Sequence, residues 1–413
     1  MFAQTALSLR RTSQVHHHIQ SAFIYQQWSR RCSHTITTPR HLITHRPRRP
    51  RPSFAFSSRN GSSPASLFRP LSTATITTIL TPPLLFLGLF IGLWTYKCVM
   101  TVIFQEKFIY MPYMPPFARS ERIEDYMRSC QPVVWREERI RSTDGTNIGL
   151  AVGRIPAQGE IVGEVRKRKE VVLCYFQGNG SSLPPRLPLL SHVLRLLHSR
   201  RQPHVTYTIA ALSYRGYWTS SGRPTQPGIE MDAQAFLRWI GESYPLSAES
   251  DTEIMLWGQS IGAGIAATAA GAYLCSQRQQ QSGASSAEPD NPPITALIME
   301  TPFTSVRAML FALYPQKWLP YQYLHPFLRN HWDSEEALRR IANSRSQPRI
   351  LLVSATRDEV VPSTEVKRLE EVCKSERLVW ESKRVIGALH TEATMRREGQ
   401  EAVAGFVESI SNR

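Results

Sequence analysis

The chain has 413 residues, 42% of them hydrophobic and 20% charged, which suits one large globular domain with additional segments. Its formal net charge is +16, but no Asp or Glu precedes Glu106 whereas eleven Arg and Lys97 do, so the rest of the chain carries only +4. The body thus lacks a basic stripe with interleaved aromatics, which argues against a nucleic-acid partner, and the six scattered cysteines, Cys32, Cys98, Cys130, Cys174, Cys275 and Cys373, indicate neither a zinc site nor a disulfide framework.

Residues 1–69 are rich in Arg, Ser, Thr, Pro and His and free of acid, with Arg46-Pro47-Arg48-Arg49-Pro50-Arg51 as the most basic run. This composition reads as an unfolded targeting arm of mitochondrial character or as a disordered cytosolic tail. The triplet His16-His17-His18 lies in that arm without fixed geometry and is not taken as a metal site. From Pro70 to Tyr96 there is no charged residue, and Leu84 to Trp94 is strongly apolar. About twenty such residues suffice to cross a bilayer, so one membrane span is expected near residues 76–104, within an anchor segment of 70–104. With the basic arm cytosolic, the remainder would lie across the membrane, as in an endomembrane such as the ER. A cleaved mitochondrial presequence would place the anchor in the inner membrane instead.

The globular domain is expected over 105–413, with Gln105 to Tyr113 as its link to the span. Two strand-like runs around Thr143-Asp144-Gly145 read as a β-hairpin. Val171 to Phe176 is an unbroken apolar run of the kind found in parallel strands buried on both faces, and it ends in Gln177-Gly178-Asn179-Gly180. Further strands are expected at Thr208–Leu212, Glu253–Trp257, Ile294–Glu300, Arg349–Ser354 and from Leu378, with helical patterns between them. That alternation implies a mostly parallel open sheet with helices on both faces. Gln277 to Pro293 reads as a surface insertion, and an aromatic stretch including Phe311, Tyr314, Trp318, Tyr321, Tyr323, Phe327 and Trp332 lies within a short lid, about 303–345.

Gly258-Gln259-Ser260-Ile261-Gly262 stands between the strand ending at Trp257 and a run of small residues. In strand, turn, helix order this is a nucleophile elbow, and Ser260 is the expected nucleophile. A serine hydroxyl needs a base to take its proton and an acid to orient that base. Asp358 follows the strand ending at Ser354, and His390, the last histidine, follows the next one. Glu359 is the alternative acid, while His325 and His331 are rival bases that precede it in sequence. Oxyanion donors are expected from the backbone amides of Ile261 and Asn179, with Gly180 as second choice to Asn179. Asn179-Gly180-Ser181 also matches a glycosylation sequon and is read as a chance match. No motif calls for a cofactor or a metal.

The ordered set Gln105-Glu106-Lys107-Phe108-Ile109-Tyr110, Gln177-Gly178-Asn179-Gly180, Tyr214-Arg215-Gly216-Tyr217, the pentapeptide around Ser260, Glu300-Thr301-Pro302-Phe303-Thr304, Asp358 to Pro362 and His390 resembles the membrane-anchored α/β-hydrolases of the fungal bud-emergence (Bem) type and their animal relatives. The resemblance runs from the span to the end of the chain. It implies the α/β-hydrolase fold, one N-terminal anchor and a Ser, Asp, His triad. The chain departs from it in carrying Gln177 where such proteins usually have histidine, and in the length of its basic arm. The expectation is a membrane-tethered serine hydrolase acting on acyl-ester or acyl-thioester substrates, with peptidase activity or a silent scaffold as alternatives on the same fold.

Overall fold

The computed structural model of the protein describes residues 73–156, 167–247, 250–283, 291–317 and 319–412. The basic arm with its histidine triplet, the middle of the 277–293 insertion and Trp318 lie outside the described residues. The chain divides into two compact units, Met1–Ile91 and Gly92–Arg413, within one apolar helix, α1 (Thr73–Ile103). Its segment Thr77–Ile103 is the one helix among the described residues long and apolar enough to cross a bilayer. In the first unit, Leu84, Leu85, Phe86 and Phe90 on this helix are all exposed.

The second unit continues through two short helices, α2 (Gln105–Tyr110) and α3 (Met127–Cys130), into the strands β1 (Val134–Arg141) and β2 (Asn147–Arg154). These form the expected antiparallel hairpin, whose turn is closed by the Gly145 N–H donating to the Ser142 carbonyl at 2.9 Å. There follow β3 (Arg168–Phe176), α4 (Leu187–Arg200), β4 (Val205–Leu212), α5 (Gln226–Ser243), β5 (Ser250–Gln259) and α6 (Ile261–Gly283). The insertion therefore begins as the last turns of α6. After β6 (Ile294–Glu300) come α7 (Val306–Leu313), a 3-10 segment (Pro320–Phe327) and α8 (Ser334–Ala342). The chain ends with β7 (Arg349–Ala355), α9 (Ser363–Ser375), β8 (Trp380–Val385) and α10 (Arg397–Ser411).

The strands form one sheet in the order β1-β2-β4-β3-β5-β6-β7-β8, antiparallel at β1, β2 and β4 and parallel from β4 onward. This mostly parallel sheet with helices on both faces is the α/β-hydrolase fold. Burial on both faces explains why β3 is apolar from Val171 to Phe176. Val172, Cys174 and Phe176 join the core under α5, α6, α8 and α9, while Val171, Leu173 and Tyr175 join the core under α4 and α10. Each fully buried aliphatic side chain of this kind contributes roughly 1.5–3 kcal/mol.

Register brings the carboxyl ends of the central strands to one rim. Phe176 pairs with Gly258, Gln259 with Glu300, and Glu300 with Val353. Within the stretch expected as a lid, α8 belongs to the body. It starts at Asp333, whose carboxylate accepts from the Glu336 amide at 2.9 Å, and it buries Leu338 and Ile341 completely. Trp332 is likewise fully buried, whereas Phe311, Tyr323 and Phe327 are exposed.

Candidate active site

Ser260 stands between the last residue of β5 and the first of α6, with φ at 53°. That left-handed conformation costs a non-glycine residue on the order of 1–3 kcal/mol and persists only where the surroundings impose it. Here the Ser260 amide donates to the Glu300 carbonyl at 2.8 Å, and the Ser260 carbonyl accepts from Ala263 at 2.9 Å. The turn is too tight for side chains at its flanks. A Cβ on Gly258 would sit 2.1 Å from the Gly262 carbonyl oxygen, and one on Gly262 would sit 2.2 Å from that of Phe176.

Three side chains distant in sequence meet at this turn. His390 Nε2 lies 3.0 Å from Ser260 Oγ, and His390 Nδ1 lies 2.9 and 3.0 Å from the two Asp358 carboxylate oxygens. Both His390 and Asp358 are nearly enclosed. With Nδ1–H donating to the carboxylate, Nε2 is left to accept from the serine hydroxyl, which fixes the tautomer. Asp358 is itself held by the amides of Val360 and Val361, which donate to Oδ1 at 2.9 and 2.8 Å. Glu359, the alternative acid, accepts from the backbone amide of His390 at 2.9 Å and so holds the histidine loop rather than the imidazole. The rival bases lie elsewhere: His325 packs against Phe311, and His331 is exposed just before α8, its backbone amide donating to Gln226.

The loop after β3 lies against the nucleophile turn, a Cβ on Gly178 being placed 3.7 Å from that of Ser260. Its next donors are differently disposed. The Gly180 amide donates to the Tyr110 carbonyl at 2.9 Å and the Ser181 amide to the Met114 carbonyl, so the second-choice oxyanion donor is occupied. The amides of Asn179 and Ile261 have no protein acceptor among the described residues. They remain the candidate pair of donors for a developing oxyanion.

Two further groups were given no role in the sequence reading. Tyr110, within the segment read as a link, is fully buried. Its hydroxyl donates to Asn330 Oδ1 and accepts from Trp332 Nε1–H, each at 2.8 Å, while its carbonyl accepts from Gly180 and from the Tyr217 hydroxyl. Glu300 is also fully buried, and its carboxylate accepts from Thr394 Oγ1 at 2.6 Å, Trp257 Nε1 at 3.1 Å and Gln259 Nε2 at 3.4 Å. Burial pushes its pKa up, against the opposing pull of the Thr394 and Trp257 hydrogen bonds and the Arg186 charge. Glu300 thereby ties the nucleophile strand to the segment that follows His390. Buried polar donors converging on a strand-end acid would have been the signal, but their convergence is three-dimensional. The Gln177 side-chain amide, standing where the resembling proteins carry histidine, is fully buried with no protein partner for either polar atom. Among the described residues no cluster of three or more His, Cys, Asp or Glu is placed to hold a metal ion.

The chain is 29% identical over 203 residues to protein bem46 of Schizosaccharomyces pombe, a match covering 49% of this chain and 56% of that protein. It thus spans little more than half of that relative's length. It is 28% identical over 293 residues to the alpha/beta hydrolase domain-containing protein WAV2 of Arabidopsis thaliana, covering 69% of this chain and 80% of the relative. Among solved structures, an esterase of Pyrobaculum calidifontis superposes with a TM-score of 0.45 at 18% identity, covering 72% of this chain and 90% of that one. No protein-family model matches the chain. Sheet topology and sequence relatives together make this an α/β-hydrolase-superfamily protein distantly related to Bem46-like proteins.

Proposed function

We propose that the protein is a membrane-tethered serine hydrolase that cleaves carboxylic ester or thioester bonds through an acyl-enzyme. Ser260 Oγ attacks the acyl carbonyl carbon while His390 Nε2 takes its proton, and Asp358 steadies the imidazolium that forms. The carbonyl electron pair moves onto oxygen, where the Asn179 and Ile261 amides receive it. Collapse expels the alcohol or thiol, which leaves with the proton from His390. Water then repeats the sequence, deprotonated by His390 and attacking the acyl carbon, so that Ser260 is regenerated and a carboxylic acid released. The observation that carries this reading is the 3.0 Å approach of His390 Nε2 to Ser260 Oγ, with Asp358 on the other ring nitrogen. The aromatic stretch next to an anchored site favours amphiphilic acyl substrates: lysophospholipids, acylglycerols or S-acylated proteins.

A fluorophosphonate probe applied to the full chain tests the proposal. Labelling and hydrolysis of a short acyl thioester are expected from the unaltered protein and lost in Ser260→Ala. Asp358→Asn should lower kcat by roughly 10⁴ through the wrong tautomer, whereas Glu359→Gln should leave most of it. Absence of labelling in well-folded unaltered protein would refute the assignment.

A further inference from the structure

The last turns of α1 and the chain after β6 run side by side. Lys97 Nζ lies 5.4 Å above the ring of Tyr321. Five and six residues further along α1, the carbonyls of Val102 and Ile103 accept from Arg329 Nη2 at 3.2 and 3.1 Å, and Glu106 pairs with Arg329 at 2.7 Å. Gln105 closes the contact, donating to the Phe327 carbonyl at 3.1 Å and accepting from the Arg329 amide at 2.8 Å. The 3-10 segment therefore follows the helix from Lys97 to its end, a length of about 9 Å. Lys97 also ends the uncharged run that begins at Pro70. If that run occupies the hydrocarbon, the polar end of α1 and the segment clasped to it occupy the headgroup layer.

The side chains on this face suit such a place. Tyr314 packs on Tyr321, tilted by 40° with centroids 4.4 Å apart, and Phe311 packs on His325 at 5.8 Å, so α7 extends the aromatic surface. Tyr323 is 61% exposed, Phe327 59% and Leu313 49%. From Thr301 to Trp332 there is no acid, while Arg307 and Lys317 are both exposed, and between Pro70 and Phe117 the only acid is Glu106, which Arg329 pairs. Amphipathic aromatics flanked by uncompensated cations are the pattern that binds an anionic lipid interface.

We propose that the face made by α7 and the 3-10 segment docks into the headgroup layer of a bilayer containing anionic lipid, as a second, in-plane attachment beside α1. Because this segment leaves the sheet at the carboxyl end of β6, the rim bearing Ser260 is turned toward the membrane, and its substrate is an amphiphile drawn from that membrane. The proposal rests on α1 crossing the bilayer, as the functional reading does.

The test uses the full chain in nanodiscs, with Cys32 and Cys275 replaced by serine and an environment-sensitive fluorophore on one introduced cysteine. The sites are Tyr323→Cys for the docked face, Leu87→Cys for the span and Val379→Cys, before the amino end of β8, as an exposed control. With phosphatidylserine present, the Tyr323 position should be blue-shifted and quenched by headgroup-proximal nitroxide lipid, and the Val379 position should not. Neutralising Arg307→Gln or Lys317→Gln should weaken the docked state about fivefold each. The proposal is overturned if the Leu87 position is quenched by acyl-chain nitroxide lipid while the Tyr323 position matches the control, which leaves span and hydrolase reading standing. It is also overturned if Leu87 is not quenched by acyl-chain nitroxide lipid, since the span then fails. Shielding of Tyr323 that appears without lipid and grows with protein concentration would identify a second copy as the occupant, and quenching that ignores phosphatidylserine would remove the anionic lipid. Both count against it.

Discussion

Glu300 is a carboxyl group held where ionisation is costly, on the residue whose own backbone carbonyl accepts from the Ser260 amide. Its oxygens face donors, which favour the anion, yet enclosure is the larger influence and raises its pKa above the ordinary 4.5. Below 4.5 the folded and unfolded chains both carry the proton and the folded state bears no penalty. As pH rises past that value the unfolded chain releases its proton first, so stability falls until the folded carboxyl ionises as well. Glu300→Gln removes the titration and keeps an oxygen toward Thr394. In thermal unfolding followed from acid to neutral pH, the difference between variant and parent should therefore shift in the variant's favour as pH rises. Parallel curves would mean that the donors offset the enclosure, and a shift against the variant that they outweigh it.

At the scale of elements, α2 does more than join anchor to domain. Its last residue, Tyr110, offers a carbonyl to the Gly180 amide and a hydroxyl to Asn330 and Trp332, so one short helix braces both the loop beside Ser260 and the chain leading into α8. Tyr110→Phe leaves the buried Trp332 N–H without its acceptor, at a cost of about 1–3 kcal/mol in urea unfolding. If the brace also sets the position of the Asn179 amide, kcat for an acyl ester should fall with little change in KM. Lost stability with unchanged kcat would restrict Tyr110 to a structural part. The elements legible beforehand were those whose signal is local: the Asp-Gly hairpin, the two-sided apolar strand β3, and the Gly-x-Ser-x-Gly turn whose glycines are dictated by backbone clashes within a few residues. Ser260, Asp358 and His390 could be named because each follows a strand, and strand ends share a rim in this topology. Tyr110 and Glu300 could not, since a tyrosine in an apparent link and a glutamate at a strand end acquire their partners only when segments some 100 to 220 residues apart pack together. Gln177 was visible as a departure in residue type, but not as an enclosed amide without partners.

For the whole molecule, the distribution of charge sets an expectation about orientation that the globular unit cannot. Twelve positive charges and no acid precede Glu106, eleven of them ahead of the apolar run in α1, while the body is close to balanced. By the positive-inside rule the arm would stay cytosolic and the unit carrying Ser260 would lie on the other side. Glycosylation reads the side directly, because only lumenal Asn-x-Ser/Thr sites are modified. Asn179 is a poor reporter, since its sequon lies in a loop whose Gly180 and Ser181 amides are tied to Tyr110 and Met114. Arg345→Thr completes a sequon at Asn343, exposed just past α8, and Asn60-Gly61-Ser62 supplies a natural one in the arm. Expressed as the full chain in secretory-competent cells, the Arg345→Thr protein should gain an endoglycosidase-sensitive mass increase that the parent lacks, and Asn60→Gln should change nothing. Modification at Asn60 with none at Asn343 would invert the orientation. Absence of sugar at both, together with removal of the arm, would instead place the anchor in the mitochondrial inner membrane, with the same charge pattern acting as an import signal.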